Sequence, residues 1–298
     1  MRRFILGSLA LIAFALPALA QGKHPFTFED MMKLKRVGEP EVSPDGKWVI
    51  FSVVEVNLEA NTKTPHIWVV PLAGGQEREI IADQDADRPR WAPDGKRFAF
   101  ISTKEGGSQI WVADFDGADG SVTGAHKLTS IATEAGGELW SPDGKNILFP
   151  SDVYPGCDGA PEPEAACNAK KVKEVEQSKV KALIFDRLLY RHWNAYKEGK
   201  RTHLFVVSAE GPTNAHLANQ QNPMALRVFS VPRDLTPGDY DSPVFSLGGQ
   251  DDYAFSPDGQ EICYTSNHDK NEAASTNNDL WIVSVSGGPA QTTGQTLP

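Results

Sequence analysis

At 298 residues the chain is long enough for one large domain or two ordinary ones, and its 40% hydrophobic and 23% charged content is that of a soluble globular protein. A net charge of −10 with no Lys/Arg stripe argues against nucleic acid or an anionic membrane surface as a partner.

Residues 1–20 read as a signal peptide. Met1-Arg2-Arg3 is a short positive region, Phe4 to Leu16 an apolar run, and Ala18-Leu19-Ala20 a small-x-small cleavage site. An uncleaved membrane anchor is the alternative, but the run is short for a spanning helix. No later segment is apolar enough to span a bilayer. The mature chain, beginning near Gln21, is therefore expected to be exported and soluble, in the periplasm or outside the cell. Loss of Arg2 and Arg3 would take its net charge from −10 to about −12.

Residues 21–40 read as an N-terminal helix and linker. Thr27 is placed to cap the helix with Asp30 three residues on, and Gly38 and Pro40 are expected to end it. The helix should pack against the side or underside of the large domain that begins at residue 41.

From residue 41 a repeat takes over. "SPDGK" stands at Ser43 and again at Ser141, "APDGK" at Ala92 and "SPDGQ" at Ser256, so the first three copies are 49 residues apart. Each comes after Val42, Trp91, Trp140 or Phe255, and each precedes a strand-like run: "WVIFSV", "RFAFIS", "NILFPS" and "EICYTS". A second strand comes downstream as "HIWVVPLAGG", "QIWVADFDG", "HLFVVSAEG" and "DLWIVSVSGG". A period of about 40–50 residues holding several strands is the signature of a β-propeller, one blade per repeat. The fold class is therefore all-β: four recognisable blades over 41–298, an incomplete ring, with one helical insertion.

A Ser/Asp pair invites a catalytic or metal-binding reading of the pentapeptide. Catalysis needs such a site once rather than once per blade, and no histidine tracks the motif. Proline sets φ for a type I turn, Ser and Asp bond the local backbone, and Gly closes a bulged hairpin. A structural turn is the reading adopted.

The repeat breaks between Ser141 and Ser256, which are 115 residues apart. The excess falls mainly in an insertion at about 151–195, with the remainder in a Pro/Asn/Gln-rich loop near 211–235. The insertion begins as a loop holding Cys157 and Cys167, ten residues apart, and an oxidising compartment favours a disulfide there. Their spacing suits no common zinc pattern. Cys263 reads as a buried strand residue. Residues 169–191 then read as an amphipathic helix capped by Asn168, with Val172, Val175, Val180, Leu183, Ile184, Leu188 and Leu189 on one apolar face. Such a helix either packs on the propeller or serves as a lid or docking element. At its end Arg187, Arg191 and His192 could meet a peptide carboxylate, against the simpler reading of a solvated or anchoring face. Glu162 and Glu164 could hold a substrate amine, against that of a solvated acidic loop.

The stretch "FTFEDMMKLKRVGEPEVSPDGKWVIFSV", the PD40-type blades and the insertion ending "FDRLLYRHWNAYKEGKRTHLFVV" resemble the amino-terminal part of exported S9 (prolyl oligopeptidase) serine peptidases, in the bacterial dipeptidyl-peptidase and acylaminoacyl-peptidase branch. The resemblance covers essentially the whole mature chain. TolB-like propellers share the pentapeptide, but the leading helix together with "DRLLYRHW" narrows the choice. The resemblance implies a propeller of about seven or eight blades followed by an α/β-hydrolase domain with a Ser-Asp-His triad.

The chain departs from that pattern. Four repeats are present, and no G-x-S-x-G elbow occurs. Ser108 in "GGSQIW" precedes a strand pattern rather than a helix, and the seven histidines show no partner arrangement. No catalytic, cofactor-binding or metal-ligating residue and no cofactor is therefore expected, and the chain is expected to be a fragment or a truncated gene product, inactive alone. An open arc leaves both end blades unpaired, which implies a protein partner at that edge or an aggregation-prone chain. Two functions fit these features. The first is the propeller portion of an exported peptidase, gating short peptides toward a catalytic domain. The second is a stand-alone TolB-like propeller for protein binding.

Overall fold

In a computed structural model, residues 24–185, 187–210, 231–245 and 252–292 are described. The leader over 1–20 and the loop "GPTNAHLANQQNP" lie outside the described residues. Sixteen of the strands build four four-stranded antiparallel sheets, each with its strands in consecutive chain order. The first holds β1 (Arg36–Val42), β2 (Trp48–Asn57), β3 (Thr62–Pro71) and β4 (Arg78–Glu79). The second holds β5 (Asp87–Trp91), β6 (Arg97–Ser102), β7 (Gln109–Asp116) and β8 (Ser121–Lys127). In the third, β9 (Leu139–Trp140) and β10 (Asn146–Val153) precede the insertion, which carries the two-stranded hairpin of β11 (Arg191–His192) and β12 (Ala195–Tyr196); β13 (Arg201–Ser208) and β14 (Arg233–Asp234) complete the sheet. The fourth holds β15 (Tyr253–Phe255), β16 (Glu261–Ser266), β17 (Asp279–Ser284) and β18 (Gln291–Thr292). The propeller reading holds: these are four successive blades.

In blades 2 and 3 the central strands are apolar on both faces because both faces are covered. Phe98 and Phe100 of β6 pack with Ile50, Ile67 and Val69 of blade 1, while Ala99 on the opposite face packs with Ile147 and Phe149 of blade 3. Along β13 the same alternation sends Phe205 and Val207 toward blade 2 and Leu204 and Val206 toward blade 4. Period-two alternation thus produces a near-continuous apolar run wherever a sheet is sandwiched.

The repeated pentapeptide closes the hairpin between the first two strands of each blade. Gly46, Gly95, Gly144 and Gly259 donate their N–H to the carbonyls of Ser43, Ala92, Ser141 and Ser256, all at φ near +70° (71°, 65°, 69° and 71°), where a side chain would be strained. The hydroxyls of Ser43, Ser141 and Ser256 donate to the following Asp at 2.6–2.7 Å and accept the N–H that opens the next strand. These turns also lie close to one another. A Cβ added to Gly95, Gly144 or Gly259 would stand 3.5, 3.6 or 3.5 Å from the proline of the preceding turn, so the four turns run in a row along one face. Indole N–H groups add a second link. Trp91 donates to the Glu41 carbonyl and Trp140 to the Arg90 carbonyl, each reaching the first strand of the preceding blade.

Three expectations need correction. The leading helix α1 is short, Phe28–Lys33, with Thr27 and Asp30 in a reciprocal capping box. It ends at Leu34, not at Gly38 and Pro40, which lie inside β1. A register shift between Gly38 and Glu41 accommodates the proline there. The insertion helix, expected over 169–191, is α2 at Glu164–Gln177. It starts as soon as Pro163 is passed. Asn168 is no cap but a buried residue inside it, accepting the Tyr154 N–H and donating to the Glu164 carbonyl. Ser178 ends it by accepting the Val180 N–H on its own hydroxyl, a local bond that competes with the helix ladder. Val180, Leu183, Ile184 and Leu188 are consequently exposed and form no helical face. Cys263 is half-buried, because it faces away from blade 3 while Ile262 and Tyr264 face toward it. Cys157 and Cys167 are joined by a disulfide that ties α2 to the start of the insertion.

The turn hydroxyls give a stability test. Ser141 is 1% exposed, and Ser141→Ala should lower urea-unfolding stability by about 1 kcal/mol. Ala92→Ser, which supplies the hydroxyl missing from the second turn, should raise it by about 0.5–1 kcal/mol. Equal midpoints for both variants and the wild type would contradict this account.

Candidate functional site

Antiparallel strands in consecutive order put the first and third connections of every blade at one end and the second connection, with the link to the next blade, at the other. The pentapeptide face is therefore distinct from the face that receives the insertion and the blade-to-blade links. Several clefts open on that second face. One of about 330 Å³ is lined by Arg187, Arg201, Asp239, Tyr240, His268 and Glu272. Another, of about 470 Å³, lies between the insertion and blade 3 and includes Ile131, Asp158, Glu164, Phe205 and Asp234. A third of about 410 Å³ is bordered by Ser108, Thr133, Glu134, Ser151 and Asp152.

Arg201, the first residue of β13, organises the 330 Å³ cleft. Its Nε donates to Asp239 at 2.9 Å, one terminal nitrogen to Asp241 at 3.0 Å and the other to Glu272 at 2.7 Å. Lys197 from the insertion reaches Asp152 at 3.0 Å and Asp241 at 3.1 Å. Burial pushes the Asp241 carboxyl up, but His192, Lys197, the Thr202 N–H and Arg201 outweigh it and hold the group well below the carboxylate range. Burial likewise opposes the Arg201 charge, while Glu272, Asp239 and Asp241 keep it fully protonated. The Tyr240, His268 and Trp281 rings stack at 3.8 Å centroid spacings alongside. This cleft offers neutralised charge and an aromatic wall, suited to holding a side chain rather than to moving a proton.

The basic cluster suggested by the sequence divides. Arg187 forms a two-pronged pair with Asp239 at 2.7 and 3.1 Å, and His192 stacks on Phe245 with centroids 4.6 Å apart. Arg191 is exposed in the insertion hairpin. Arg187 therefore anchors the insertion to the blade 3–4 link. The acidic pair divides as well. Glu162 lies 3.8 Å from Lys170, whereas Glu164 borders the 470 Å³ cleft. Burial and then the Asp234 and Asp158 carboxylates raise Glu164 to about 7. Beside it the buried His203 and the half-buried Asp234 and Asp158 form a cluster that sequence reasoning misses. Its signal is an Arg and a His inside the otherwise apolar "RTHLFVV". Ser108 donates to the Ala135 carbonyl at 2.9 Å. Among the described residues no serine hydroxyl is hydrogen-bonded to a histidine ring.

Glu138, just before β9, is 2% exposed, and neither carboxylate oxygen has a hydrogen-bond partner among the described residues. Burial pushes it up to about 8.

No family model matches the chain. It is 30% identical over 290 residues to dipeptidyl-peptidase 5 of Porphyromonas gingivalis, covering 95% of this chain and 37% of that protein. It is 26% identical over 264 residues to the uncharacterized peptidase YuxL of Bacillus subtilis, covering 88% of this chain and 34% of that one. The acylaminoacyl peptidase of Pyrococcus horikoshii superposes with a TM-score of 0.59 at 16% identity, over 91% of this chain and 34% of that structure. The chain is a propeller portion of the S9 peptidase type. It spans little more than a third of the length of the curated relatives it matches. No helix among the described residues of this S9 propeller portion is long and apolar enough to cross a membrane.

These charges give two tests. Arg201→Met leaves Asp239, Asp241 and Glu272 without their shared cation and should cost about 3 kcal/mol, with faster amide exchange over 187–200. Arg187→Met, at a half-exposed pair, should cost under about 1 kcal/mol. Equal losses would show that Arg201 is not the organiser. Glu138 is raised from 4.5 to about 8 on folding, so its contribution is fully present below about pH 4.5 and is lost as pH rises through about 8. Glu138→Gln should therefore flatten the fall in stability across that window, and identical pH profiles would count against it.

Proposed function

We propose that this chain is the propeller segment of an exported S9-type serine peptidase, and that it limits access to short peptides on their way to a catalytic α/β-hydrolase domain encoded with it. The observation that carries the reading is the alignment of 95% of the chain with dipeptidyl-peptidase 5. The clefts on the insertion face support it, since they offer an acidic pocket and an aromatic wall of peptide-side-chain size. Glu164, Asp158 and Asp234 suit a cationic group, and the Tyr240–His268–Trp281 stack suits a flat or apolar one. Export is part of the same proposal: the leader over 1–20 and a disulfide in the insertion favour an oxidising compartment. In the parent enzyme a serine would attack the scissile carbonyl and a histidine would shuttle the proton, both supplied by the hydrolase domain.

The test compares this chain with the product of the same reading frame extended past codon 298. The chain alone should neither hydrolyse dipeptidyl 4-nitroanilides nor react with a fluorophosphonate probe, and the extended product should do both. A stop codon followed by unrelated sequence, or labelling of the chain alone, would overturn the proposal.

A further inference from the structure

The insertion meets blade 3 at a cluster of one buried histidine and two half-buried aspartates, and the two aspartates also border the acidic cleft described above. His203, the third residue of β13, is fully buried, and Asp234 on the paired strand β14 has a side chain only 5% exposed. Asp158 comes directly after the disulfide cysteine Cys157 in the insertion. One donor atom from each of the three residues lies within 4.8 Å of the others.

Each of these side chains is oriented by a backbone bond that uses one of its polar atoms and leaves another for the cluster. His203 Nε2 lies 2.8 Å from the Gly238 carbonyl, which can only accept, so Nε2 carries a proton. That leaves Nδ1 directed at Asp234 Oδ2, 2.6 Å away. Asp234 Oδ1 accepts the Thr236 N–H at 2.8 Å, and Asp158 Oδ2 accepts the Gly238 N–H at 2.7 Å. Asp158 Oδ1 is shielded from solvent and accepts no hydrogen bond among the described residues. An imidazole whose far N–H is fixed on a carbonyl, beside carboxylates fixed on backbone amides, is the outer-shell pattern that orients metal ligands.

Charge points the same way. Asp158, Asp234 and, at the mouth of the cleft, Glu164 supply three carboxylates against one imidazole. The guanidinium lining the cleft, that of Arg233, is turned to the carbonyls of Val285 and Ser286 in blade 4. Half-buried carboxylates crowded together favour a compensating cation.

We propose that His203 Nδ1, Asp234 Oδ2 and Asp158 Oδ1, with Glu164 on the open side, form a binding site for a divalent transition-metal cation of the zinc class. One nitrogen and two or three carboxylate oxygens suit Zn²⁺ or Mn²⁺ better than Ca²⁺, which takes six to eight oxygens. Tetrahedral ligands at about 2.0–2.1 Å stand about 3.4 Å apart. The histidine–aspartate pair would open slightly to that spacing, and Asp158 would close on it. The bound ion would join Asp158 and Glu164 of the insertion to β13 and β14 of the blade, a second staple beside the Cys157–Cys167 bridge. Its role is structural and independent of peptide hydrolysis.

The test uses the full chain, free of any affinity tag, stripped with EDTA and dialysed against buffered zinc. About one zinc per chain should bind, and the thermal midpoint should rise with zinc concentration. Asp158→Asn leaves the His203–Asp234 pair in place and should weaken zinc binding by about tenfold or more, while Glu162→Gln, outside the cluster, should not. X-ray absorption of the zinc form should show one imidazole nitrogen with oxygen ligands. Two results would overturn the proposal. In one, the wild type takes up no zinc at micromolar free metal, so that the cluster is an imidazolium–carboxylate pair holding only a proton. In the other, zinc binds with an affinity that Asp158→Asn and Glu164→Gln both leave unchanged.

Discussion

Blades 2 and 3 each carry two apolar faces, and neither can be left in water. That constraint fixes most of the architecture. Phe98 and Phe100 on one face of β6, and Ala99 on the other, are all fully buried only because blades 1 and 3 lie on either side. Once blades must stack, their angle has to be set. The tryptophans before the second and third turns set it by bonding to the carbonyls of Glu41 and Arg90 one blade back. The turn glycines at 95, 144 and 259 each face the proline of the preceding turn, with room between them for little more than a methyl group, which keeps the blades in step. The pentapeptide is thus both a hairpin closure and a spacer. This accounts for a repeat that preserves Pro, Asp and Gly while tolerating Ala92 at its first position.

How much of this the sequence discloses depends on the range over which each signal acts. The strands β2, β6, β10 and β16, and their partners β3, β7, β13 and β17, are legible because sandwiched strands need unbroken apolar runs with turn residues at both ends. The outermost strands β4, β14 and β18 are two residues long and carry no period at all. The insertion helix misleads for a local reason. The apolar residues from Val180 to Leu189 imitate a helical face, but one hydroxyl, on Ser178, turns the chain out of the helix before they are reached. The charged site is hidden by distance. Arg201 finds its partners 38, 40 and 71 residues away, on the link to blade 4 and on the second connection of blade 4. No local motif spans such separations.

The two faces also divide polar work. On the pentapeptide face the Ser, Asp and Gly of each turn satisfy one another, as at Ser141, Asp143 and Gly144, and leave little for a ligand. Polar groups on the opposite face are assembled from separate elements and are satisfied only across them. Asp241 serves Lys197 of the insertion and Arg201 of the blade at once. Glu164 and Asp158 from the insertion face Asp234 from the blade. Clefts arise from this arrangement, because loops held apart by charge pairs do not close as apolar side chains do.

The insertion is tolerated on that face for a geometric reason. It leaves the blade after Val153 and returns at Arg201, and these two residues are direct partners in the β10–β13 ladder. The ladder sees only a long connection between adjacent strand ends. Ordering such a closed loop costs free energy that grows with the logarithm of its length, so a few anchors suffice. Those anchors are the Cys157–Cys167 bridge, Asn168 on the Tyr154 amide, Arg187 on Asp239, and Lys197 on Asp152 and Asp241. Each of them is polar or covalent. An insertion held this way can keep Ile184, Leu188 and Trp193 largely exposed without loosening the blade beneath. The blade core stays independent of whatever those residues meet, and the insertion can vary while the propeller beneath it remains unchanged.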